Sequence, residues 1–144
     1  MQPTLEEETR VRLMLLLSTV ALLACDSTGP GETVTFIFNH REAPGADGQF
    51  YAVTDDPEVI RGARAQLAIP ADQRRLAING PIGRGDGGHN EPWSWHFAPG
   101  EWELLTVGAE ACDGTPQMVE DNIDYWVDNL GHFCPWAAYL VGER

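Results

Sequence analysis

The residue types best suited to chemistry in this chain fall in one run, His89-Asn90-Glu91-Pro92-Trp93-Ser94-Trp95-His96. Imidazoles, an amide and two indoles together can stack on a sugar or planar ring and hydrogen-bond its edges. His89, Asn90, Trp93, Trp95 and His96 are therefore the candidate ligand-binding residues. Trp93 and Trp95, two apart on a strand, share one face, and core beneath a helix is the favoured reading of both. Ser94 and His96 point the same way on a strand, the first condition for a nucleophile beside a base, but no Gly-x-Ser-x-Gly elbow is present. His40, His89, His96 and His132 are scattered, without His-Glu-x-x-His spacing; the one metal arrangement the run allows is two histidines with Glu91. Glu120, Asp121, Asp124 and Asp128 lack the spacing of a calcium loop and read as a solvated helix face. Arg84-Gly85-Asp86 is three common residues in a glycine loop and carries no weight. No catalytic residue, metal or cofactor is expected.

The cysteines divide into one and two. Residues 13–23 are an apolar run too short to span a bilayer, which takes roughly 20 residues. Arg10 and Arg12 precede it and Leu22-Leu23-Ala24-Cys25 follows. A basic stretch, a short apolar stretch and a small residue at the cut describe an export signal. A cysteine directly after the small residue resembles the lipobox of bacterial lipoproteins, which implies acylation of the Cys25 thiol and cleavage after Ala24. Residues 1–24 are then a lipoprotein signal peptide, and residues 25–32 a polar, Gly/Pro-containing tether. An ordinary secretory signal and a core helix ending in cysteine are the alternatives. Glu6-Glu7-Glu8 sits oddly in a leader, and translation from Val11 or Met14 would omit it. After export, Cys112 and Cys134 remain in an oxidising compartment. With no Cys-x-x-Cys and no histidine at zinc spacing, a disulfide is the expectation, closing a loop of about 23 residues. A catalytic thiol or a metal pair is the alternative.

Composition narrows the partners. The chain has 144 residues, 22 acidic and nine basic, for a net charge of −13, and every basic residue is arginine. That excludes a nucleic-acid binder held by a clustered basic face. Without residues 1–24, seven arginines face 19 acids, a net −12. Such a surface repels anionic lipid and polyanions.

The elements that must position these residues follow from pattern and punctuation. Residues 33–39 and 49–54, rich in β-branched and aromatic types, read as strands around a turn containing Pro44-Gly45 and Asp47-Gly48. Asp56 caps a helix that opens at Pro57, with Val59, Ile60, Ala63 and Leu67 as its apolar stripe and Ile69-Pro70 as its stop. A strand follows within residues 75–84, where Asn79-Gly80-Pro81 marks either a bulge or a tight hairpin. Residues 93–97 and 102–112 are the next strands, the second with Leu104, Leu105 and Val107 inside it. Thr115 caps a second helix whose Val119, Ile123, Trp126, Val127 and Leu130 form one face and which ends at Gly131. Residues 133–141 are the last strand. The order is ββαβ-ββαβ, an α+β two-layer domain over residues 33–144 with a mostly antiparallel sheet and both helices on one face. Residues 53–60 and 111–119 rhyme. Duplication explains that, and so does the shared preference of strand-to-helix turns for Asp, Thr and Pro.

Several of these pieces occur together in a known domain. Thr54-Asp55-Asp56-Pro57, Gly83-Arg84-Gly85, Asn90, Trp93-Ser94-Trp95-His96, Glu110-Ala111-Cys112-Asp113, Val119-Glu120-Asp121 and Phe133-Cys134-Pro135-Trp136 resemble the N-terminal domain of the BP-seventy-four type of calmodulin-binding protein, over residues 49–141. The resemblance implies a small extracytoplasmic α+β module in which both cysteines match, with no catalytic residues to carry over. Ala98 departs from the family pattern, where an acid often precedes the proline. Calmodulin binding is not expected, because a calmodulin target is a basic amphipathic helix and the second helix is acidic. The expected function is a lipid-anchored extracytoplasmic binding module, its ligand an envelope protein, a sugar or another small molecule. The alternative is a small envelope enzyme or metal-binding protein using the His89–His96 region.

Overall fold

In a computed structural model of the chain, residues 31–106 and 108–144 are described. The leader at residues 1–24, Cys25, residues 25–30 of the tether and Val107 lie outside them. Among the described residues no helix is long and apolar enough to cross a membrane.

Strict alternation builds the first sheet. In β1 (Val34–His40), Val34, Phe36, Phe38 and His40 face inward and every second residue faces out. β2 (Phe50–Thr54) returns antiparallel, with Phe38 opposite Phe50 and Val34 opposite Thr54. Gly48 in the connecting turn cannot carry a side chain, because a Cβ there would lie 1.8 Å from the Ala43 carbonyl oxygen. β7 (Ala138–Glu143) pairs with the other flank of β1, also antiparallel, and the register shifts between Ile37 and Phe38.

α1 (Pro57–Leu67) forms where its local signals place it. The Asp56 carboxylate accepts from the amides of Glu58 (2.8 Å) and Val59 (3.4 Å), satisfying two donors of the first turn. Ile60 and Ala63 are buried, and Val59 and Leu67 pack beside them. The Arg74 guanidinium donates to the carbonyls of Leu67 and Ile69 at the helix end and to Leu140 on β7. One cation thereby satisfies terminal carbonyls and ties α1 to the sheet.

The second sheet is organised by β3 (Ala77–Arg84), which takes three antiparallel partners in succession. Residues 77–79 pair with β5 (Glu103–Leu105), Gly80 and Pro81 with β6 (His132–Phe133), and residues 82–84 with β4 (Trp95–Phe97). Asn79-Gly80-Pro81 thus stays inside one continuous strand rather than turning. Gly80 permits this: a Cβ there would meet the Trp102 Cβ at 2.6 Å.

The class is α+β, but the strands divide into two antiparallel sheets where one was expected. Two strands are also shorter than the pattern suggested. The one expected over residues 102–112 ends at Leu105, and Glu110–Cys112 is a 3-10 turn. The one expected over residues 133–141 divides into β6 and β7. Both changes fall around the two cysteines. Cys112 and Cys134 are joined, with Cα atoms 5.1 Å apart, and the Cys134 amide donates to the Cys112 carbonyl. The chain turns in 3-10 form into Cys112, and Pro135, lacking an N–H, cannot continue a ladder beyond Cys134.

The second helix also differs. α2 (Pro116–Asp121) starts on its Thr115 cap, is interrupted at Asn122, and gives way to a wider π-helical segment, α3 (Asp124–Leu130), closed by Gly131 at φ 65°. The apolar stripe survives the interruption. Val119 and Trp126 are buried, with Ile123, Val127 and Leu130 packed beside them. Phe133 at the core centre meets the rings of Trp95 (5.3 Å), Trp126 (5.5 Å) and Phe97 (5.8 Å).

Candidate functional site

The run at residues 89–96 enters through a glycine turn. Asp86 accepts the Gly88 amide on its side chain and the His89 and Asn90 amides on its carbonyl. Gly85, Gly87 and Gly88 hold φ of 79°, 61° and 76°, the left-handed region that glycine tolerates. Asn90 lands with no solvent exposure, between the sheets. Its Oδ1 accepts the Tyr51 amide of β2 at 2.7 Å, and its Nδ2 donates to the Trp95 carbonyl of β4 at 2.8 Å.

Two indoles complete the same seam. Trp93 Nε1 donates to the Gln49 carbonyl and Trp102 Nε1 to the Val53 carbonyl, each at 2.7 Å. Residues 49, 51 and 53 present their backbone groups to one edge of β2, the edge that β1 does not use. Side chains therefore cap the edge where a further strand would otherwise pair, and they join the two sheets.

This arrangement corrects the expected ligand surface. Trp95 is fully buried and Trp93 is 6% exposed, so neither ring offers a face for stacking. Asn90 has spent its amide on backbone. Trp95 Nε1 is buried without a partner. Ser94 does not address His96: its Oγ and amide both donate to Glu120 on α2, at 2.7 and 2.8 Å. His96 Nδ1 meets the Gly85 carbonyl at 2.8 Å.

The two histidines do come together. Their rings are perpendicular with centroids 5.7 Å apart, and Gly87 packs against both. His89 Nδ1 meets the Gly87 carbonyl at 2.9 Å. A carbonyl can only accept, so each Nδ1 carries a proton. His89 Nε2 is buried and unpartnered, and burial pushes this imidazole below its ordinary pKa, with the neighbouring His96 adding to the effect. Glu91 is exposed. No group of three or more His, Cys, Asp or Glu side chains is placed to hold a metal among the described residues. The other histidines stand apart. His40 is buried at the end of β1, and His132 bonds Asn79 at 2.9 Å.

The acidic helix face is engaged rather than simply solvated. Arg84, at the end of β3, forms ion pairs with Asp124 and Asp128, which hold its guanidinium above the usual arginine range. Asp121 accepts from Gln117.

The sequence reading missed a groove of about 450 Å³ between α1 and residues 100–104. Asp56 and Glu58 rim one side and Glu101 and Glu103 the other. No local signal announces it, because the two rims are more than 40 positions apart in the chain.

The model of one protein family, the BP-seventy-four N-terminal domain, matches residues 32–144. No curated protein and no solved structure matches the chain. The matched span begins before β1, so the first hairpin belongs to the domain along with the motifs from residue 49 onward.

Proposed function

Because the chain belongs to the BP-seventy-four N-terminal domain family, we propose that it works as a lipid-anchored binding module on the extracytoplasmic side of a membrane, held there through Cys25. The observation that carries the reading is the Cys112–Cys134 disulfide, in a chain whose third cysteine directly follows a short apolar leader. Structural disulfides belong to oxidising compartments, and export is what a leader of this kind provides. Each buried methylene of an acyl chain contributes about 0.8 kcal/mol, and more than one chain gives lasting attachment. The polar tether sets the acidic domain off from an anionic surface that would repel it. Asn90 and Trp93 are occupied in joining the sheets and Ser94 in bonds to Glu120, and the reading assigns no catalytic step. Calmodulin is no part of it: Arg61 and Arg64 of α1 pair with Glu58, Glu32 and Glu143.

The reading is tested by feeding labelled palmitate to cells expressing the chain. Label enters the wild type and is absent from Cys25→Ser, which accumulates with its leader uncut. Equal labelling of both chains, or none in the wild type, rejects the anchor.

A further inference from the structure

We propose that the groove between α1 and residues 100–104 is a docking site for a lysine- or arginine-bearing peptide segment of another envelope protein. The proposal gives the binding-module reading a partner class and rests on it for its biological setting.

The groove, of about 450 Å³, is apolar along its floor, where Leu76 and Leu104 are half-buried, and acidic on both rims. Asp56 and Glu58 stand on the α1 side, Glu101 and Glu103 on the other, and no arginine lines it. Some of these carboxylates already have partners. Asp56 caps α1, Glu58 pairs with Arg61, and Glu103 accepts the Asn79 amide at 3.1 Å. A carboxylate has about four acceptor sites, so each retains capacity, and no donor reaches the Glu101 side chain among the described residues.

An apolar floor between two anionic rims matches the build of a lysine or arginine side chain, whose methylenes lie along apolar surface while the head seeks carboxylates. A polyanion or an acidic peptide is repelled by the same rims. A second copy of this chain is disfavoured, since both surfaces carry the same sign. Opposite charge across an interface selects the partner and speeds encounter.

The test uses the full chain in non-ionic detergent and fluorescence anisotropy of two labelled pentapeptides, Lys-Val-Lys-Val-Lys and Glu-Val-Glu-Val-Glu. The basic peptide binds saturably with one site per chain, the acidic one does not, and binding weakens as salt rises. Glu101→Lys with Glu103→Lys weakens it at least tenfold. Glu110→Lys with Asp121→Lys, the same charge change placed away from the groove, leaves it within about threefold. If the reversed groove fails to fold by circular dichroism, Glu101→Gln with Glu103→Gln takes its place and loses at least threefold. Equal losses from the groove and distal pairs, an unchanged affinity in the groove pair, or no saturable binding by the wild type overturns the proposal. A palmitate-labelled chain that ignores the peptide sinks this inference alone. An unlabelled chain that binds it sinks the anchor alone.

Discussion

Removing the Asn90 side chain strands two buried backbone groups, the Tyr51 N–H and the Trp95 carbonyl. A buried polar group left unmade costs about 1–3 kcal/mol, so Asn90→Ala should lose about 2–5 kcal/mol in urea unfolding. A loss below about 1 kcal/mol would mean that the seam is not held there. This residue shows where reading a sequence stops. The run at residues 89–96 was visible as the densest collection of polar and aromatic groups. The backbone edge those groups serve, however, lies some 40 positions upstream and leaves no local trace. Trp and Asn are chosen alike for ligand recognition and for capping a buried edge, since both tasks need a large apolar body or a small amide with one well-aimed hydrogen bond. His89 and His96 were singled out together with Glu91 because they are close in the chain; the two rings meet, and Glu91 stays exposed. The bond from Ser94 to Glu120 was not legible, because it crosses to α2.

At the scale of elements, legibility follows how local the cause is. The start of α1 was placed to the residue, since the Asp56 cap, Pro57 and the apolar stripe all act within a few positions, while its end at Leu67 falls just short of the expected stop at Ile69-Pro70. β5 and β6 were drawn too long: the 3-10 turn at Glu110–Cys112 and the break around Pro135 flank a bond between cysteines 22 positions apart, which no local pattern announces. The pair itself was readable from export and from the absence of metal spacing. Its energetic effect should be that of closing a loop of about 23 residues, about 3 kcal/mol. Cys112→Ala with Cys134→Ala is therefore expected to unfold at lower urea than the wild type, by about 2–4 kcal/mol. Thiol-reactive mass labelling of the unreduced wild type should find neither cysteine free. The division of the strands into two sheets had no local sequence signal, because the free edge of β2 is taken by side chains some 40 positions away rather than by a further strand.

Over the whole molecule, buried histidines set the response to acid. His40 is 2% exposed, and burial holds it below its ordinary pKa despite the opposing pull of Glu42, Asp113 and the Gly114 carbonyl. His89 is held down as well. A histidine with a lowered folded-state pKa stabilises the fold fully above the unfolded value, about 6.5, and loses that contribution as pH falls toward the folded value. Thermal melts should therefore show a lower Tm at about pH 5.5 than at about pH 7.5. His40→Asn should flatten that slope, whatever its own Tm; an unchanged slope would put the proton uptake elsewhere. The proposed membrane attachment is also a property of the whole molecule. It is read most directly by the intact mass of the chain recovered from membranes, measured without reduction. The account predicts a polypeptide starting at Cys25, heavier than its sequence by the acyl groups and lighter by the two hydrogens of the Cys112–Cys134 bond. An unacylated mass that still includes residues 13–23 would contradict it.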